Sequence, residues 1–221
     1  MAKNIPIHYT VTEEVIHSFT HAVGSHLGAA MLTLLIVFGA QSDELRVWKI
    51  VSGSIFGATV ILLYSISSLY HALTNPKAKN VLEICDHMAI YFLIAGSYTP
   101  IVLVALRPHY PKLAWSMFGV IWGMALLGVI LKIFTTGRFR ILSTLAYVIM
   151  GWTAVVGIGP IFKVMDTQGI TWLILGGCLY TLGTIFYIWR IMPFHHAVWH
   201  LFVMGGTISH FFCILFSVTL S

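Results

Sequence analysis

Apolar residues fill seven blocks along the chain, over 18–39, 50–72, 84–106, 113–133, 141–162, 169–189 and 195–220. Each is long enough to cross a bilayer core, and none carries Asp, Glu, Lys or Arg at its centre. Inside lipid, backbone N–H and C=O groups must be paired within the segment, so all seven are expected to be helices. Polar breaks separate them: Gln41-Ser42-Asp43-Glu44, Asn75-Pro76-Lys77, Arg107-Pro108 and the basic stretch 135–140, with Gly159-Pro160 near the end of the fifth block. Pro100 lies inside the third block, after Gly96-Ser97-Tyr98-Thr99. It should kink that helix and free a carbonyl.

Composition points the same way. The 221 residues are 58% hydrophobic and only 9% charged, against roughly 25% charged in a soluble domain. Mean hydropathy is +0.91. The fold class expected is all-α: an integral membrane bundle of seven transmembrane helices forming a single domain over 1–221. Residues 1–14 are polar and the first apolar block is too long for a signal-peptide core, so no cleavable leader is expected. The net charge of +5 does not point to nucleic acid, because the basic residues sit in short loops beside the spans. There they read as topology signals and contacts to membrane lipids. Cys85, Cys178 and Cys213 have no paired spacing, so neither a disulfide framework nor a thiolate metal site is expected.

Lys and Arg placement gives a direction. With the N-terminus inside, the inner face carries Lys3, Lys77, Lys79, Lys132, Arg138, Arg140 and Arg190. The outer face carries Arg46, Lys49, Arg107, Lys112 and Lys163. The excess favours a cytoplasmic N-terminus and an outside C-terminus.

Alternation of seven spans then gathers the ionisable residues. Glu13, Glu14, His17 and His21 open the first span, His71 closes the second, Glu83, Asp86 and His87 open the third, and His195, His196 and His200 open the seventh. All of these ends fall on one membrane face. Of the other histidines, His8 is in the tail and only His26, His109 and His210 fall clearly elsewhere. Ionisable groups at membrane depth are costly and mark functional sites.

His196 and His200 are four apart, one turn above each other on a helix face, and His71 can add a third imidazole from another span. Three neutral imidazoles with an open fourth position form the donor set of a catalytic zinc, which activates water near neutral pH. Asp86 is placed to hydrogen-bond that water or act as general base. Ser67, four residues before His71, could orient a ligand or polarise a carbonyl, or bond back to its own helix. Glu13, His17 and His21 also share one face and could serve as ligands instead, as a proton relay, or as outer supports of the site. His87 and His195 are expected to point elsewhere, and His210 to be a hydrogen-bonded core histidine. Gly24, Gly28, Gly205 and Gly206 read as close-packing positions. Ligand type alone does not separate zinc from iron or manganese.

Ser67-x3-His71 in the second span, Asp86 in the third and His196-x3-His200 in the seventh resemble the three-part motif of the progestin and adipoQ receptor family. The short tail, Gly96-Ser97-Tyr98-Thr99-Pro100 and the run His196-Ala197-Val198-Trp199-His200-Leu201-Phe202-Val203 resemble its bacterial hemolysin III-type branch. The resemblance implies a multi-pass protein of the bacterial inner membrane. It implies zinc held by His71, His196 and His200, with Asp86 ordering the water and Ser67 in the second-span motif. The wider superfamily includes alkaline ceramidases, so hydrolysis of a lipid amide in membrane lipid homeostasis is the implied activity. One departure stands out: bacterial relatives usually read Glu-x2-Asn-x2-Thr-His in the first span, whereas here Glu14, His17, Thr20 and His21 occupy those places. The histidine could add a ligand or a pH-sensitive group.

Two other functions fit the same residues. One is a non-enzymatic sensor of membrane state, with structural zinc and the loop 138–140 signalling to partners. The other, ranked lowest, is a haemolysin-like cytolytic or transport protein. The polar residues gather at one end rather than the midplane, and no inverted repeat is evident.

Overall fold

The computed structural model describes residues 9–189 and 192–221, so Lys3, His8 and Arg190 lie outside the described part. Among the described residues seven helices are long and apolar enough to cross a membrane, and none is a strand. The protein is a multi-pass membrane bundle.

The first helix, α1 (Val11–Gln41), begins well before its apolar block. Thr10 and Glu13 form a reciprocal capping box that satisfies the first backbone donors, so the polar residues before Ser18 are helical too. The second helix, α2 (Arg46–Ala72), follows Leu45 in the left-handed region. α3 (Pro76–Pro100) also starts early: Asn75 accepts from the N–H groups of Lys77 and Ala78, and Pro76 suits the first turn. Glu83, Asp86 and His87 therefore sit well inside this helix rather than at its opening.

Pro100 does not end the third span. The helix continues as a π-helical segment, Ile101–Leu106, in which Arg107 N–H reaches back to the Val102 carbonyl at 3.0 Å.

α4 (Pro111–Thr135) is continuous. The fifth span breaks before Gly159-Pro160, into α5 (Arg140–Gly151), a 3-10 turn (Thr153–Gly157) and α6 (Ile158–Val164). The Tyr98 hydroxyl explains the position. It donates to the Gly151 carbonyl at 2.6 Å and accepts from Ala154 N–H at 2.8 Å, satisfying backbone groups that the break releases.

α7 (Thr167–Ile188) is capped by Asp166, which accepts from Gly169 N–H and from the Ser217 hydroxyl. These donors, the serine first, hold the Asp166 carboxyl below its usual range. The last span, α8 (His195–Ile214), ends in a π-helical segment, Leu215–Thr219. Asp166 and Ser217 thus tie α7 to α8 at the end opposite His195.

α1 packs along α2, and α7 along α8. Thr207 joins the two pairs. Its hydroxyl donates to the Val203 carbonyl at 3.1 Å and accepts from Tyr64 on α2 at 2.7 Å and Tyr180 on α7 at 2.8 Å. That uses all its hydrogen-bonding capacity. Tyr64 fits because α1 offers Gly24 against its ring: a Cβ there would stand 2.8 Å from Tyr64 Cδ1. We expect Gly24→Val to push Tyr64 off Thr207 and to cost about 1–3 kcal/mol by overpacking. It would appear as a lower Tm of the purified protein in detergent; an unchanged Tm would show that the contact is not a constraint.

Candidate metal centre

The capped start of α1, the last turn of α2 and the first turns of α8 meet at one end of the bundle. There they bring together His71, His196 and His200, one ring nitrogen of each lying within 4.8 Å of the others. The ring centroids are 4.5 Å apart for His196 and His200, 5.2 Å for His71 and His196, and 5.3 Å for His71 and His200. His71 and His200 are buried and His196 is partly buried.

Hydrogen bonds fix which nitrogens are available. Glu14 on α1 receives His71 Nδ1 at 2.6 Å, so the proton lies on Nδ1. His71 Nε2 is left as a buried acceptor with no protein partner. Thr20 donates its hydroxyl proton to the His17 carbonyl at 2.9 Å, so at 3.1 Å it accepts from His200 Nδ1. That leaves His200 Nε2 with a free lone pair. A carboxylate or hydroxyl fixing the far nitrogen is how proteins orient metal-binding imidazoles. The donor set therefore fits a divalent ion such as zinc.

A second group, Glu14, His17 and His71, also has atoms within 4.8 Å of one another. It suits a cation less well. The Lys79 ammonium, held by the Tyr70 carbonyl, already pairs with Glu14 at 2.7 Å and would repel an ion there. His71 Nδ1 would also have to give up its proton. Electrostatics thus favours the three imidazoles.

His17 is fully buried, and its ring centroid lies 4.8, 4.9 and 5.5 Å from those of His71, His196 and His200. His21 stacks on His200 at 3.4 Å. Neither has a hydrogen-bond partner on either ring nitrogen. Tyr9 covers the group, 4.8 Å from His17 and 5.4 Å from His196 between centroids. Burial, with nearby Tyr187 and Glu14, pushes its phenol well above the ordinary range, so it stays a neutral lid.

Ser67 and Asp86 line the same polar cavity as His196 and His200, a space of about 390 Å³, without belonging to the nitrogen triangle. Glu13 is outside both candidate ligand groups; its carboxylate accepts from the Thr10 N–H and hydroxyl in the helix cap and from the Phe194 backbone. His195 turns to the Phe186 carbonyl and His87 to the Glu83 carbonyl and Tyr187 hydroxyl. His210, expected to be a core histidine, is buried in the bundle with its ring edge-on against Tyr180, over Gly176 and facing the Leu173 backbone.

Glu14, Thr20, Lys79 and Tyr9 support the site; along the sequence Glu14 and Thr20 stand only as motif positions without a role, Lys79 as a topology signal, and Tyr9 carries no signal. For Glu14 a signal existed. It precedes His21 by seven residues, nearly two full turns, so it shares that histidine's face more closely than Glu13 does. The partners of Thr20, Lys79 and Tyr9 come from distant segments, and spacing carries no sign of them.

Fold and site together define a seven-helix membrane protein with a histidine-rich, metal-competent centre near one end. The chain matches the family described as Haemolysin-III related over residues 9–211. It is 45% identical over 208 residues to Hemolysin-3 homolog of Bacillus subtilis, covering 94% of this chain and 95% of the relative. Identity to Hemolysin-3 of Bacillus cereus is 41% over 208 residues, covering 94% and 93%. Identity to human Monocyte to macrophage differentiation factor is 30% over 215 residues, covering 93% and 84%. The chain belongs to the haemolysin-III-related family, the bacterial hemolysin III-type branch of the progestin and adipoQ receptor family.

If Glu14 orients His71 as described, Glu14→Ala should weaken metal binding by roughly 10–100-fold without abolishing it. Competition against a chelator of known affinity measures this. Unchanged affinity would mean that His71 does not bind through Nε2.

Proposed function

We propose that this protein is a zinc-dependent hydrolase of a lipid amide, working in bacterial inner-membrane lipid homeostasis with its N-terminus and metal centre on the cytoplasmic side. The observation that carries this reading is the junction of two cavities. Leu63, Ile90, Tyr187, Trp199 and Val203 line both the polar cavity at the imidazoles and an apolar cavity of about 150 Å³ that reaches Ile161, Leu173 and His210. An amphiphile could place its polar linkage beside His196 and His200 and its chain in the apolar space.

In this reading zinc, bound by His71, His196 and His200, supplies Lewis acidity toward the carbonyl and toward water. The Asp86 carboxylate takes a proton from the attacking water and delivers it to the amide nitrogen as the C–N bond breaks. The water oxygen ends in the released carboxylic acid. Ser67 orients the carbonyl, while Glu14 and Thr20 keep His71 and His200 in the binding tautomer.

A second reading, a membrane-state sensor with structural zinc, is favoured by His17. A fourth imidazole beside the other three would close the coordination, as in structural sites.

Purified wild type in zinc-depleted buffer should hold about one zinc per chain, lost in His196→Ala. No metal in the wild type would end the hydrolase reading. Asp86→Ala should keep zinc while lowering lipid-amide turnover roughly 100-fold or more. A zinc-loaded wild type without turnover on lipid amides would favour the sensor.

A further inference from the structure

Two cationic side chains in the polar cavity have hydrogen-bonding capacity that the described residues leave unused. Lys132, in the last turn of α4, is only 3% exposed and lines the cavity. Its ammonium lies 5.8 Å from the centre of the Tyr147 ring. It has no hydrogen-bond or ion-pair partner among the described residues. Arg140, at the start of α5, lines the same cavity. Its Nη2 donates to the Ile188 carbonyl at 3.2 Å, and its guanidinium lies 5.7 Å from the Tyr187 ring centre. Its Nη1 is buried with no partner.

Buried cationic groups without a paired counter-charge are costly, and Lys132 and the buried Nη1 of Arg140 come from different helices to one space. Glu83 and Asp86 also line that space, yet neither pairs with them; Glu83 acts on Lys132 only through space. Arg138 adds a third positive charge to the lining. Tyr187, under the Arg140 guanidinium, is one of the residues shared with the apolar cavity. A charged head between the two cations would therefore be continuous with a chain in the apolar space.

We infer that Lys132 and Arg140 form an anion site, and that the amphiphile this cavity takes carries a carboxylate or phosphate at its polar end. Charge-assisted hydrogen bonds from an ammonium and a guanidinium suit either group. This deepens the hydrolase reading by naming the head group of its ligand, but it concerns binding alone.

The test is binding of three chain-matched probes to the detergent-purified full chain: a long-chain fatty acid, a lysophosphatidate and an uncharged monoacylglycerol. Each is measured with and without chelator treatment, so that affinity carried by a bound metal is separated out. At least one anionic probe should bind about tenfold or more tighter than the neutral one, with or without metal. Preference for the fatty acid identifies a carboxylate head, and preference for the lysophosphatidate a phosphate. Lys132→Met and Arg140→Gln should each shrink that preference while leaving the neutral probe's affinity unchanged. Should either variant fail to fold, the other variant and the wild-type comparison still decide. Equal binding of charged and neutral probes, or a preference retained in the folded variants, would overturn the site. An anionic preference in a protein without zinc or turnover would uphold the site while ending the hydrolase reading.

Discussion

Everything at the functional end of this bundle depends on satisfying imidazoles that have been taken out of water. His17, His21, His71 and His200 are each at most 3% exposed. Both ring nitrogens of His17 and His21, and Nε2 of His71, have no protein partner among the described residues. A buried polar group without a hydrogen bond costs about 1–3 kcal/mol, and the bilayer offers no water to relieve it. These groups stand together where three of the rings could hold a metal ion. The supports follow: Glu14 and Thr20 fix the two far nitrogens, Lys79 neutralises Glu14, and Tyr9 covers the group from outside the spans.

The rest of the bundle holds three helix ends in register for that purpose. Thr207, bonded by Tyr64 and Tyr180, joins α2, α7 and α8 near mid-span, and Gly24 lets α1 close over Tyr64. At the opposite end Asp166 and Ser217 tie the start of α7 to the last turn of α8. Tyr98 stabilises the break between α5 and α6, and residues on both sides of that break line the apolar cavity. Interruptions of regular helix thus occur beside cavities, where the freed backbone groups find partners within the protein.

Charge follows the same logic. Glu14 pairs with Lys79, whereas among the described residues Lys132 and the Arg140 Nη1 have no ion-pair partner. One cavity wall therefore carries neutral donors that could hold a cation, and another offers cations of its own. The polar cavity is continuous with an apolar one through shared lining residues.

The sequence by itself determined the seven spans, because apolar length and bilayer thickness leave little choice, and span parity put the histidine-bearing ends on one face. Four-residue spacing put His196 beside His200 and Ser67 on the face of His71. Tertiary structure decided the rest, because it depends on which distant atoms pair. It put Glu14 rather than Glu13 at the site, since the capping box takes Glu13. It made the segment after Pro100 π-helical, and it broke the fifth span, read as continuous along the sequence, at the point where Tyr98 satisfies the freed backbone groups. It set the His210 ring against Tyr180 and over Gly176. It also turned Lys132 and Arg140, which along the chain read as topology signals, into side chains of the polar cavity. Periodicity records which face of a helix is apolar; it does not record what stands opposite that face once the helices have packed.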